Sequence, residues 1–207
     1  MRRRMRNVSN RSAVIALAAG VIAASALALA SHSGRGSPSV PRQAAAGRLT
    51  LLSPDVGQGA AIALGHVYDR SGCRGGNISP ALSWKHPPAG TRSFAVLMLD
   101  PDAPGGGWWH WAVFDIPADV TSLPAGAGDP ARHLLPPGAI QSRNDFGSPG
   151  YGGPCPPPGP PHHYHLMLYA LRVHRLGLDA GASAAQVAAR VRSSGLAEAE
   201  IVGIYGR

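Results

Sequence analysis

The sequence predicts a mainly β protein: an antiparallel β-sandwich built on a large sheet, with one or two short helices near the C-terminal end. Three observations carry that reading. Apolar runs at Arg92–Asp100, Trp108–Pro117 and His163–Val173 are too short for ordinary helices and are bounded by Gly, Pro or Asp. The connections between them are wide and rich in Gly and Pro. A helical repeat occurs once, late in the chain.

The 207-residue chain opens with Arg2, Arg3, Arg4, Arg6 and Arg11 and carries no acid before Ser12. Ala13–Ala30 is uncharged and ends in Ala28-Leu29-Ala30, a small-residue cleavage pattern. Residues 1–30 are expected to be a signal peptide or an N-terminal membrane anchor. Either places the chain outside the cytoplasm, extracellular or in the cell envelope, and residues 13–30 hold it at the cytoplasmic membrane if uncleaved. No cysteine lies near that site, so lipid attachment is not expected. Residues 31–48, small, polar and basic, read as a flexible linker. The folded domain is expected over 49–207.

Within that domain Leu49–Val56 and Ala199–Gly206 are further strand candidates. The helix is expected over Ser183–Gly195: Ser183 can cap its start, Val187 and Val191 lie one turn apart, and Gly195 suits the residue after its end. The connections 117–140 and 141–161 exceed ordinary loop length, which points to function or to hidden short structure.

The net charge of +8 suggests a nucleic-acid partner, and its distribution removes that reading. Residues 1–48 hold eight arginines and no acid. Beyond them eleven cationic residues meet eleven acids, so the domain lacks the electrostatic footprint of a nucleic-acid binder. The two cysteines, Cys73 and Cys155, suggest a disulfide in an exported chain, the alternative being two separate buried thiols.

Three loop-to-strand junctions hold the residues with chemistry. Asp100 and Asp102 lie in "DPDAP", where Pro101 and Pro104 fix the backbone. His110 follows Gly105–Gly107, glycines that would let another group approach the backbone closely. Strand alternation places His110 with Trp108, Ala112 and Phe114, and Trp109, Trp111 and Val113 on the other face. At the third junction a proline-rich loop, 154–161, runs into "HHYH". Alternation there puts His162 with Tyr164, Leu166 and Leu168, and His163 and His165 with Met167 and Tyr169. The prolines would hold a pocket mouth in one shape without a ligand. Taken singly, each junction also has a plain structural explanation: an Asp-Pro turn, or a satisfied core histidine.

"NISPALSW" (Asn77–Trp84), "DPDAP", "WHW" after a glycine run and "GYGGPCPPPG" before His162 together resemble the phosphatidylethanolamine-binding protein family, in its bacterial Raf-kinase-inhibitor-like branch. The resemblance covers residues 49–207. It implies a β-sandwich with a pocket that takes phosphate, phosphoryl headgroups or small carboxylates, lined by Asp100, Asp102, His110, His162 and Tyr164. Here a proline precedes His162, and His163 stands where that branch commonly has arginine.

The expected function is therefore binding rather than catalysis, with no catalytic residue, cofactor or metal and with an unidentified protein partner. Asp100 makes sense near an anion if it accepts a hydrogen bond from a histidine and fixes its tautomer. Two rival functions are a metal-assisted phosphoester hydrolase using Asp100, Asp102, His110 and His162, and an exported inhibitor of a protease. No H-x-x-x-H, H-E-x-x-H or G-x-S-x-G pattern supports catalysis.

Overall fold

The structure, a computed structural model, describes residues 47–207. The signal or anchor expected at 1–30 and the linker up to residue 46 lie outside the described residues. Eight strands and one α-helix follow in order: β1 Thr50–Leu52, β2 Leu82–Lys85, β3 Ser93–Asp100, β4 Trp108–Pro117, β5 Ser122–Leu123, β6 Ile140–Gln141, β7 His162–Leu171, α1 Ala184–Ser194 and β8 Gly195–Tyr205. They form a small antiparallel sheet, β1-β2-β5, and a large one, β6-β4-β3-β7-β8.

β3 runs through the middle of the large sheet and is buried along nearly all of its length. A strand covered on both faces reads as an unbroken apolar run, which is why Phe94–Leu99 shows no alternation. Its inner face, with Phe94, Val96 and Met98, packs against Leu51, Leu82, Trp84 and Leu123 of the small sheet. Its outer face, with Ala95 and Leu97, packs against Ala184, Val187, Ala188 and Val191 of α1. The molecule is thus layered small sheet, large sheet, helix.

The helix starts where its chemistry demands. Ser183 Oγ accepts from the Gln186 N–H, and Gln186 reaches back to the Ser183 N–H. Gly195 closes it in an extended conformation (φ −66°, ψ 143°) rather than a left-handed one, because the chain passes straight into β8. The three long runs fall at β3, β4 and β7 as expected. The long connections hide β5 and β6, and β2 lies inside the "NISPALSW" motif. These strands are too short to show a period. β8 extends well before the expected Ala199, since it pairs with β7 along its whole length. There Ala197, Ala199 and Ile201 pack inward.

β4, β3 and β7 are neighbours and antiparallel, so the end of β3 meets the starts of β4 and β7 at one edge of the sheet. Asp100 pairs with Trp108 there, and Leu99 with His165. Residues far apart in the chain are gathered by that topology alone. A third, small core beside this edge contains Val67, Tyr68 and Cys73 with Phe146 and Cys155. Cys73 and Cys155 are disulfide-bonded, with Cα atoms 5.9 Å apart.

Candidate functional site

A cavity of about 510 Å³ opens at this edge. Asp100, Ala103 and Pro104 supply one side, Trp108 and His110 the floor, and Asp145 and Phe146 another wall. Cys155, Pro156, Pro157, Ser71 and His162 complete it.

Asp100 is nearly buried and both of its carboxylate oxygens are engaged. One carboxylate oxygen accepts from the N–H groups of Asp102 (2.9 Å) and Ala103 (3.1 Å), closing the turn that follows β3. The other accepts from His162 Nδ1 at 2.7 Å. The acid expected to orient a histidine does so, and the partner is His162. With Nδ1 committed to Asp100, His162 carries an acceptor at Nε2 when neutral and a donor there only when protonated.

His110 is buried, and the Gly152 carbonyl accepts from its Nδ1–H at 2.6 Å. Burial holds its pKa below the ordinary value of 6.5, with the Gly152 bond and the Asp100 charge opposing the shift. The neutral ring keeps its lone pair on Nε2. Its placement corrects the alternation argument. Met98 pairs with Trp111 and Leu99 with Trp109, so His110 is one extra residue in β4, a β-bulge. The bulge turns His110 to the inner side: its ring lies 5.2 Å from that of Tyr164, edge to face, while Ala112 and Phe114 pack beneath α1.

Tyr164 shares the inner face with Leu166 and Leu168 as expected, but it stands behind His110 and is not part of the cavity wall. Among the described residues its hydroxyl has no partner in hydrogen-bonding geometry, though the Asp100 carboxylate lies close to it. Burial, reinforced by the Asp100 charge, raises its pKa. Asp102 departs further from expectation. Its side chain, 42% exposed, turns away from the cavity to accept from the backbone N–H and Nδ1 of His163, at 2.7 and 2.8 Å. Those bonds, the backbone one foremost, lower its pKa. Alternation had placed His163 on the face opposite His162, and Asp102 follows it there. Asp100, His110 and His162 are thus gathered, Tyr164 backs them, and Asp102 is separate.

Phe146 and Asp145 were missed from sequence. Phe146 stacks on Tyr68 (centroids 4.0 Å apart) and meets Trp108 and His110 edge-on at 5.3 and 5.5 Å. Asp145 exchanges hydrogen bonds with the Trp109 backbone, accepting at 2.7 Å and donating at 2.9 Å. The available signal was an aromatic residue inside a Gly/Pro-rich loop, which must bury itself against something. Asn144 shapes that loop by accepting from the Phe146 and Ser148 N–H groups.

The proline loop is pinned as expected at the cavity mouth. A Cβ on Gly153 would stand 2.1 Å from the His66 carbonyl oxygen, so only glycine lets the two loops approach so closely. Gly105 and Gly106 instead face open space. With Gly107 they have φ between 90° and 106°, so backbone conformation requires glycine throughout this run, and close approach adds to it only at Gly107, where a Cβ would stand 3.2 Å from the Asp100 carbonyl oxygen. Among the described residues, no group of three or more His, Cys, Asp or Glu side chains is arranged to hold a metal.

The phosphatidylethanolamine-binding protein family pattern matches residues 52–206. The chain belongs to that family. It is 47% identical to the UPF0098 protein YbcL of Escherichia coli over 165 residues, 79% of this chain and 89% of YbcL. Identity to YbhB of the same organism is 44% over 158 residues, 76% of this chain and 99% of YbhB. A Mycobacterium tuberculosis protein named as a lipoprotein, LppC, is 37% identical over 78% of this chain and 74% of its own length. The crystal structure of E. coli YbcL, described as a new member of the mammalian PEBP family, superposes with a TM-score of 0.76 at 45% identity, covering 78% of this chain and 99% of that one. The lipoprotein-named relative and the disulfide both accord with a place outside the cytoplasm or in the envelope. Among the described residues no helix is long and apolar enough to cross a membrane.

Proposed function

We propose that this family member is an exported binding protein whose Asp100–His110–His162 pocket takes a small oxyanion: phosphate, a phosphoryl headgroup or a small carboxylate. One observation carries the reading. Among the described residues the wall contains two imidazoles and two carboxylates but no Lys or Arg, so the lining groups able to carry positive charge are His110 and His162. Asp100 is already occupied by its hydrogen bonds and acts as the support of His162. In this reading the ligand is bound rather than transformed; Asp102, which the rival metal-assisted reading would need, accepts from His163 instead.

The sign of the pH dependence follows. Each imidazole can donate from Nε2 only after taking up a proton, so binding an oxyanion is coupled to protonation and affinity falls as pH rises. Isothermal titration with inorganic phosphate from pH 5 to 8 should show that fall, with net proton uptake in buffers of different ionisation enthalpy. A flat or rising profile would refute the proposal.

A further inference from the structure

The neutral balance of the domain conceals a strong asymmetry. The end of the sandwich opposite the pocket carries Arg48, Lys85, Arg92, Arg172 and Arg175, all exposed. Their neighbourhood is fixed by the pairing. The Arg92 N–H donates to Leu171 O at 2.8 Å, placing Arg92 beside Arg172. Arg92 and Arg175 share a cavity of about 470 Å³ with the loop after β4. Lys85 pairs with Thr50, whose hydroxyl bonds to Arg48 O. Among the described residues none of these five forms an ion pair. The acids nearby are Asp119, exposed, and Asp115, which is buried and accepts from the Leu176 N–H at 2.8 Å. The acids Asp69, Asp100, Asp102 and Asp145 instead lie around the pocket, where they outnumber Arg70, Arg74 and Arg207. The eight residues of β3 separate the two ends by roughly 23 Å. That is well beyond the ~8 Å screening length at physiological salt, so the cationic end acts independently of the pocket.

We infer that this end is a docking surface for an anionic lipid bilayer. The choice of a bilayer over an acidic protein rests on where the chain enters. At Gly47, the first described residue, a Cβ would stand 2.8 Å from the ring of His86, so the chain enters the described domain at this same end. If residues 13–30 hold the chain at a membrane, this end of the domain is the one nearest to its attachment. The pocket mouth then faces away from the bilayer, into the aqueous space. Cations held near an anionic surface contribute additively, about fivefold in partitioning for each Lys or Arg.

The test uses residues 47–207, which contain both sheets, α1 and the disulfide. Sedimentation with vesicles of phosphatidylcholine containing about one third phosphatidylglycerol should show binding that pure phosphatidylcholine does not and that 0.5 M salt, roughly a 4 Å screening length, abolishes. The double variant Arg92→Gln/Arg175→Gln should lose at least tenfold in partitioning. The control Arg70→Gln/Arg74→Gln, at the pocket end, should keep wild-type binding. Circular dichroism melting confirms that both variants are folded. Equal binding to both vesicle types, equal loss in the two double variants, or binding to polyglutamate or DNA with none to vesicles would overturn the inference.

Discussion

His110 makes the stability of this domain depend on pH in a way that can be isolated. In the folded state it is buried, gives its Nδ1–H to Gly152 O at 2.6 Å and has a pKa held below 6.5 by burial. In the unfolded chain it titrates at the ordinary value. As pH falls through 6.5 the unfolded state therefore binds the proton more readily, and stability falls with it; above 6.5 the difference vanishes. If the folded ring stays neutral throughout, the loss between pH 7.5 and 5.5 has a ceiling of about 1.4 kcal/mol. The perturbation is His110→Gln, whose amide can still donate to Gly152 O but does not titrate. Urea unfolding of both proteins at half-unit pH steps gives the difference curve, in which all other titrating groups cancel. The variant should be less stable at pH 7.5 and recover relative to wild type on acidification. Parallel curves would show that His110 takes its proton equally in both states and would refute the buried neutral imidazole.

Three further results are expected. The Cys73–Cys155 bond closes a separation of 82 residues, so Cys73→Ser/Cys155→Ser should lower the unfolding free energy by up to about 4.5 kcal/mol in the chain-entropy account, measured by denaturant titration. Tyr164→Phe removes a buried hydroxyl that has no partner among the described residues and should raise ligand-free stability by up to about 3 kcal/mol; a loss would mean that the hydroxyl is satisfied in solution. Asp100→Ala releases His162 and should weaken phosphate binding at least tenfold, on the order seen when supporting carboxylates are removed. Asp102→Ala should leave that affinity unchanged, and equal losses in the two variants would put Asp102 back in the site.

Much of this was legible because it is local. Three apolar runs bounded by breakers became β3, β4 and β7, and the capping pattern at Ser183 and Gln186 set the start of α1. Alternation paired His162 with the inner face of β7, since that strand keeps its register with β3 throughout. The same rule misplaced His110, because a bulge depends on which residue of β3 each residue of β4 opposes. Asp102 belongs with Asp100 by spacing, yet the three-dimensional position of His163 draws it outward.

The amino-acid order alone thus determined the class of fold, the strands that frame the pocket, the two cysteines and the identities of Asp100, His110 and His162, all readable from short windows of polarity and turn chemistry. Tertiary structure decided which of those side chains share a space, that Phe146 and Asp145 join the wall, and that a domain with balanced charge is cationic at one end. The physical reason is that periodicity constrains neighbours along the chain, whereas burial, pairing and field depend on what the rest of the chain brings alongside.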